Sequence, residues 1–266
     1  MNSVPSRGAL DLDYTQVEKE IVSFIRMMTE DARAKGVVIG LSGGIDSSVV
    51  GSLCVKALGK DSVAGVLMPA YHTPTADMED ARRLAKTWGI KVYEAPIDAA
   101  FDAVEASVAL KERTKIAQAN VKARLRMIIL YYVANSLSML VAGTGDRSED
   151  LLGFFTEWGD GGVDFLPISH LYKTQVRFLG AHLGLPENIV TKPASPQLWP
   201  GHKATDEIPL AYEQMDPVLH CLFDKHMTPK QASKEAGVDV KVIDVILAKN
   251  KSSTHKRVYP PMVRPW

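Results

Sequence analysis

Cysteine is nearly missing from this chain: among 266 residues only Cys54 and Cys221 carry a thiol. No Cys-x-x-Cys pair exists, which leaves no zinc ribbon and no obvious persulfide-relay couple. Cys54 falls in a helical stretch, where a small buried hydrophobe is its ordinary role. Net charge is missing too. Lysine and arginine total 31, aspartate and glutamate 31, and no long basic run breaks that balance, so the electrostatic footprint of a general nucleic-acid binder is absent. No apolar run reaches bilayer length, and no apolar signal core follows a basic start; a soluble, cytoplasmic protein without a membrane partner is the expectation. Internal repeats and low-complexity tracts are lacking. A chain of this length holds one large core, or one core with a small appendage, and residues 1–266 read as a single domain.

What is present is concentrated in one place. The β-branched run Val37-Val38-Ile39 leads into Leu41-Ser42-Gly43-Gly44-Ile45-Asp46-Ser47-Ser48, after which an amphipathic segment opens a helix. In that strand–turn–helix order, the backbone N–H groups of the turn and of the first helical turn converge on one point, an anion site. Gly43 and Gly44 let a phosphate approach the backbone, and the hydroxyls of Ser42 and Ser47 add donors. The Gly-Lys-Ser/Thr ending of the nucleoside-triphosphatase loop is absent, and an aspartate stands where its lysine would reach the β- and γ-phosphates. An acid in a phosphate cradle is repelled unless a cation lies between them, which makes Asp46 a candidate Mg²⁺ ligand. The plain alternative is a tight turn of the kind any α/β protein contains.

Val17, Ile21, Phe24, Ile25 and Met28 keep helical spacing and predict a helix over residues 14–34. Strands are expected at 37–41, 62–68, 91–97 and 138–141, and helices at 47–58, 75–88 and 117–137. Such alternation builds an α/β protein with a doubly wound parallel sheet, Rossmann-like and flanked by helices. Ligands bind these sheets beyond the carboxyl ends of the strands, which brings 42–46, 68–70 and 96–98 to one crevice and makes the backbone at Leu67–Met68 a candidate adenine edge. On the helix 117–137, Asn120, Arg124 and Met127 share a face that reads either as solvated, with snorkelling arginine stems, or as anion-binding. Spacing alone does not decide. The α/β core runs over 37–184, and the proline-rich stretch 185–211 is long enough for a lid. Helices near 210–223, 229–236 and 240–249 make up a small C-terminal helical region over 212–250. Its last two helices have the look of a helix-turn-helix, but neutral charge favours a packed pair over a DNA reader.

Ser42-Gly43-Gly44-Ile45-Asp46-Ser47 resembles the pyrophosphate loop of the N-type ATP pyrophosphatases, which split ATP between the α- and β-phosphates to adenylate an acceptor. Six matched positions outweigh the plain reading of that corner. Further stretches narrow the resemblance: Asn120-Val121-Lys122-Ala123-Arg124-Leu125-Arg126-Met127, Gly143-Thr144-Gly145-Asp146-Arg147-Ser148-Glu149, Gly153-Phe154-Phe155-Thr156 and Gly159-Asp160-Gly161-Gly162-Val163-Asp164 are similar to the NAD synthetases in order and spacing. So are Leu171-Tyr172-Lys173-Thr174-Gln175-Val176, Leu198-Trp199-Pro200-Gly201 and His255-Lys256-Arg257. The fold this implies is the adenine nucleotide alpha hydrolase-like one. The reaction it implies is the last step of NAD biosynthesis, in which a C–N ligase uses ATP and ammonia to amidate nicotinic acid adenine dinucleotide (deamido-NAD) through an adenylated intermediate, releasing AMP and pyrophosphate.

Carried onto matching positions, the resemblance implies ATP binding by Leu41, Ser42, Gly43, Gly44, Ile45, Asp46, Ser47 and Ser48, together with Leu67, Thr144, Lys173 and Ser195. Asp46 and Glu149 would share Mg²⁺, and Arg124, Asp164, His255 and Lys256 would bind deamido-NAD. Asp46 and Lys173 would serve catalysis; Asp160 or Asp164 would take the proton of ammonium, with Asp160 the choice. Three positions depart from the pattern. Glu157 stands where many relatives have lysine, Asp146 replaces the more usual Asn or His, and Ala194-Ser195-Pro196-Gln197 varies a stretch that often carries an acid. The loop strand begins at Val37, which leaves no room before it for a fused amidase, so free ammonia, or ammonia from a separate protein, is the expected donor. The resemblance also implies a homodimer in which the helix face bearing Arg124 contributes to an intersubunit dinucleotide site. Two rivals remain: an adenylating synthetase for GMP or a tRNA base, opposed by 120–127 and His255-Lys256, and a DNA-binding ATP sensor, opposed by Asp46, Glu149 and Lys173.

Overall fold

The computed structural model describes residues 10–195, 199, 201 and 204–263. In chain order, α1 (Tyr14–Asp31) precedes β1 (Val37–Gly40), α2 (Ile45–Leu58), β2 (Val63–Leu67), α3 (Thr75–Trp88), β3 (Lys91–Glu94), α4 (Asp98–Ser107), α5 (Lys115–Leu137) and β4 (Leu140–Val141). After it come α6 (Arg147–Leu152), α7 (Lys173–His182), α8 (Glu187–Val190), α9 (Tyr212–Leu219), a π-turn (His220–Asp224), α10 (Pro229–Ala236) and α11 (Val240–Ser252), with short 3-10 turns at Ala204–Asp206 and Thr254–Arg257. The strands are all parallel, in the order β3-β2-β1-β4, so the expected doubly wound sheet is present. Val37 is in register with Val63 on one side and Leu140 on the other, which makes β1 an inner strand.

Alternation along β1 sets the layers. Val37 and Ile39 face a core shared with Ile21 and Ile25 of α1, Val49 and Leu53 of α2 and Val176 and Leu179 of α7, while Val38 faces the opposite core with Ala134 of α5 and Val141. A strand buried on both faces reads as the continuous apolar run seen in the sequence. A separate cluster joins Leu152, Tyr172, Tyr212, Met215, Leu219, Ala232, Ile243 and Ile246. Helices α10 and α11 therefore form a packed pair against α9 and α6, with Ala232 and Ile243 at the centre of that contact. No helix among the described residues is long and apolar enough to cross a membrane.

Several boundaries differ from expectation for local reasons. The strand expected at 91–97 ends at Glu94: Ala95 N and Ile97 N still donate to Leu67 O and Pro69 O at 2.8 and 3.0 Å, but Pro69 has no N–H to return a bond. Ser138, expected to open β4, is instead the left-handed cap of α5 (φ 58°), which shortens that strand to two residues. Beyond β4, where no helix is expected before the proline-rich stretch, the chain turns into α6 at Arg147. Within 185–211, α8 is a single turn; residues 196–198, 200, 202 and 203, which include Leu198 and Pro200 of one family-like motif, lie outside the described residues, as do 1–9 and 264–266.

Cys54 is fully enclosed on α2, and burial pushes its thiol up to about 12. At pH 8 only about 1 in 10,000 of such thiols is the reactive thiolate. Cys54 is expected to stay unmodified by a water-soluble alkylating reagent in the folded protein and to react once the chain is unfolded, as peptide mass spectrometry would show. Stoichiometric alkylation of native protein at Cys54 would contradict the packing of α2.

Candidate active site

The chain leaves β1 at Gly40 and turns over the carboxyl end of the sheet into α2. Its serines build the turn: Gly44 N donates to Ser42 Oγ at 3.2 Å, while Ser47 and Ser48 hydroxyls donate to Gly44 O at 3.1 and 2.7 Å. Gly43 has φ +74°, and a Cβ there would stand 2.1 Å from Asp77 O, so only glycine fits. Behind the turn, Lys192 Nζ donates to Gly43 O at 3.0 Å, to Asp77 Oδ1 at 2.7 Å and to Asp80 Oδ2 at 2.8 Å. Asn188 Nδ2 reaches both Asp80 oxygens at 3.1 Å. This brace joins the start of α3 and the segment after α8 to the phosphate loop, and the sequence reading missed all four of its side chains.

Beside the loop lies a buried cation. Lys173, the first residue of α7, is 1% exposed, and its Nζ stands 2.8 Å from Asp46 Oδ2, 2.8 Å from Asp146 Oδ2 and 2.9 Å from Glu149 Oε1. The Tyr212 ring covers the ammonium at 5.4 Å. Burial works to deprotonate Lys173, but the three carboxylates hold it protonated, well above the ordinary lysine range. Burial, then the neighbouring Asp146 charge, pushes Glu149 well up, and burial raises Asp146 as well.

A local motif sets two of those acids. Asp146 caps α6, accepting Glu149 N at 2.9 Å, while Glu149 Oε2 accepts Asp146 N at 3.3 Å. Asp146, a departure from pattern in the sequence, therefore adds a third charge where an asparagine would supply only the cap. Oxygens of Asp46, Asp146 and Glu149 lie within 4.8 Å of one another, and Asp46 Oδ1 is buried with no hydrogen-bond partner. Three hard anionic oxygens against one ammonium fit a Mg²⁺-type ion.

Loop and cation both open on a cavity of about 420 Å³. Leu41, Ser42, Gly44, Ile45, Asp46, Ser47, Thr144, Glu149, Asp160, Lys173, Ser195 and Lys256 all line it. Gly43 and Ser48 support the loop from behind. Of the expected adenine edge, Leu67 is fully buried with its carbonyl accepting Ala95 N at 2.8 Å, so the sheet ladder holds it, while Met68 reaches the wall. Arg126, also on the wall, donates Nε to Met68 O at 3.1 Å. Asp160 accepts Thr156 N at 2.8 Å; enclosure raises its carboxyl, opposed by that bond and by the charges of Lys256 and Arg126.

The family described as NAD synthase matches residues 17–260. The chain belongs to that family. It is 48% identical over 262 residues, 98% of this chain and 95% of the relative, to the NH3-dependent NAD+ synthetase of Staphylothermus marinus. Two solved structures superpose closely. An NMN synthetase from Francisella tularensis has a TM-score of 0.84 at 32% identity, covering 95% of this chain and 99% of its own. The NH3-dependent NAD synthetase of Campylobacter jejuni, in complex with nitrate ion, has 0.82 at 29%, covering 96% and 100%.

The remaining positions that the NAD synthase resemblance marked lie off the cavity wall. Arg124 Nε and Nη2 donate to Glu157 O at 3.3 and 3.1 Å on the exposed side of α5. Asp164 accepts Val141 N at 2.7 Å and the Tyr131 hydroxyl at 3.1 Å, which ties it to the end of β4. His255 is exposed, whereas Lys256 Nζ donates to Gly153 O and Phe155 O at 2.9 and 2.8 Å and so fixes the terminal motif to the wall.

Replacing Lys192 tests the brace. Lys192→Met removes three charge-assisted bonds and leaves Asp77 and Asp80 facing the phosphate loop, and the KM for ATP should rise by about tenfold or more. An ATP KM unchanged in steady-state assays of folded Lys192→Met would show that the loop holds its shape without it.

Proposed function

We propose that this chain is an ammonia-dependent NAD synthetase that amidates deamido-NAD at the expense of ATP, yielding NAD, AMP and pyrophosphate in the last step of NAD biosynthesis. The observation that carries this reading is the buried Lys173 ammonium among Asp46, Asp146 and Glu149, set against a phosphate loop in a chain of the NAD synthase family.

The chemistry follows from a carboxylate being a poor acyl donor. In the first step the nicotinate carboxylate attacks the α-phosphorus of ATP; the bond to the β-phosphate oxygen breaks and pyrophosphate leaves. The loop 41–48 holds the phosphates through backbone N–H groups at the start of α2, and Lys173 meets charge that grows on the departing group. Asp46 and Glu149, with Asp146, would hold Mg²⁺, whose charge screens these acids from the phosphate oxygens. In the second step ammonia attacks the activated carbonyl carbon and AMP leaves. Ammonia must arrive deprotonated, and Asp160, on the cavity wall with a raised carboxyl pKa, is the base we assign. The described part of 185–211, including Ser195 and Trp199, borders the cavity as a lid would, keeping water from the adenylate.

Lys256 meets deamido-NAD on the wall, and Asp164 and His255 extend that site toward its edge. Arg124 then serves a neighbouring subunit. Support comes from α5, where Val121, Leu125, Ile128 and Tyr132 fall at helical spacing away from the sheet, with Ile128 55% and Tyr132 75% exposed. An apolar stripe of that kind on a soluble chain fits a second copy. We assign the enzyme to the cytoplasm as a homodimer. One observation favours a second reading of the acceptor: the structural neighbour at TM-score 0.84 is an NMN synthetase, so the nicotinic acid mononucleotide is the rival substrate.

Product analysis decides between them. With ATP, Mg²⁺ and ammonium, deamido-NAD is expected to give NAD and AMP in equal amounts, glutamine is expected to replace ammonium poorly, and the mononucleotide is expected to react more slowly. Faster amidation of the mononucleotide would reassign the acceptor; no AMP from either would remove the reading. For the dimer, the double substitution Ile128→Glu and Tyr132→Glu places charge on the stripe, and sedimentation should show a monomer with deamido-NAD turnover reduced about tenfold or more. A dimer persisting in that variant would move the interface elsewhere.

A further inference from the structure

The side chains that back Lys173 come from outside the α/β core. Tyr212 and Asp216 lie one turn apart on α9, on the face turned toward the starts of α6 and α7. Asp216 is fully buried. Its Oδ1 accepts the Ser148 hydroxyl at 2.7 Å, and its Oδ2 accepts Thr174 N at 2.8 Å and the Thr174 hydroxyl at 2.7 Å. Ser148 Oγ in turn accepts Lys173 N at 3.0 Å. Ser148 directly precedes Glu149 and Thr174 directly follows Lys173, so one carboxylate spans the gap between the two helix starts that carry the phosphate-facing pair.

Those contacts answer a need that nothing nearer meets. The first N–H groups of a helix have no partner within it. Tyr172, which precedes α7, supplies no side-chain cap, and its hydroxyl is engaged with Asp224 at 2.7 Å. Asp216 thus caps α7 from a distance and favours its positive end. A mere tie between layers would be served by apolar groups such as Met215 and Leu219, which flank Asp216 in the same cluster without the cost of burying a carboxylate.

We propose that Asp216 is a positioning residue for the adenylation step: through Ser148 and Thr174 it fixes Glu149 and Lys173 relative to one another, and so sets how charge on the departing pyrophosphate is met. This rests on the reading of Lys173 and Glu149 as phosphate-facing groups. Asp216 itself touches neither substrate nor reacting atoms.

The test is Asp216→Asn, whose single amide nitrogen replaces one of the two carboxylate oxygens, so either the Ser148 hydroxyl or the Thr174 N–H and hydroxyl lose their acceptor. Pyrophosphate release by the folded variant should lose about 100-fold in kcat, while the KM for deamido-NAD stays within about threefold. Ser148→Ala, which leaves Asp216 bound to Thr174, should lose about tenfold in kcat, and the double variant should be no slower than Asp216→Asn alone. A kcat within about threefold of the parent in folded Asp216→Asn, with only the melting temperature lowered, would reduce Asp216 to a stabilising tie and overturn the proposal. Where Asp216→Asn fails to fold, an unchanged kcat in Ser148→Ala overturns it equally, as do losses that multiply in the double variant. Failure of the underlying reading is separate, since the parent protein would then release no pyrophosphate at all.

Discussion

One ammonium facing three carboxylates is the constraint on which this site depends. Removing four charged groups from water costs several kcal/mol for each, and mutual attraction repays that only where the geometry is close. The geometry comes from helix starts. Asp46 sits in the first turn of α2, Asp146 and Glu149 are the cap and third residue of α6, and Lys173 is the first residue of α7. Acids at helix N-termini gain from the dipole, whereas a cation there does not, so the three carboxylates and the Tyr212 ring must offset that disadvantage for the Lys173 ammonium. The same convergence of positive helix ends that steadies these acids is also what an incoming polyphosphate requires.

Strand order decides why that convergence occurs at this place. The connections after β1 and β4 leave the sheet from adjacent carboxyl ends, one feeding α2 and the other the loop to α6. A crevice opens between such connections in a parallel sheet, and the cavity lies there. Helix α7 then packs on α2 in the layer that covers Val37 and Ile39, which carries Lys173 to the mouth of the crevice.

Much of this was legible in the sequence because it is local. The loop 41–48 is a contiguous signature whose chemistry can be read without tertiary knowledge, and α1, α2, α3 and α5 follow from apolar spacing or caps. What escaped detection lacked such a signal. Helix α4 has no buried residue to set a period, and α6 is six residues long, its one clue being the Asp-x-x-Glu cap of Asp146 and Glu149. Lys192 meets Asp77 and Asp80 across 115 and 112 residues, and no spacing rule relates such partners. Asp216 is invisible for the same reason. Resemblance gathered Arg124, Asp164 and His255 into one set, but only coordinates reveal that Asp164 closes β4 and that Arg124 points outward.

The outward Arg124 bears on acceptor choice. A cavity of about 420 Å³ is of the size that encloses one drug-sized ligand, and on the proposed function the loop 41–48 that lines it commits that space to ATP. On the proposed function, that space does not also contain a whole dinucleotide. In the proposed reaction its nicotinate end reaches the α-phosphate, and its adenylyl half then extends toward the rim. If a second copy docks on the stripe of α5, its Arg124 would supply a bidentate phosphate ligand at that rim. Preference for a dinucleotide over a mononucleotide then becomes a property of the assembled pair, because only the larger acceptor reaches what the neighbour provides. Oligomeric state and substrate choice are on this argument one physical question, decided by how far beyond the single-chain cavity the acceptor must extend.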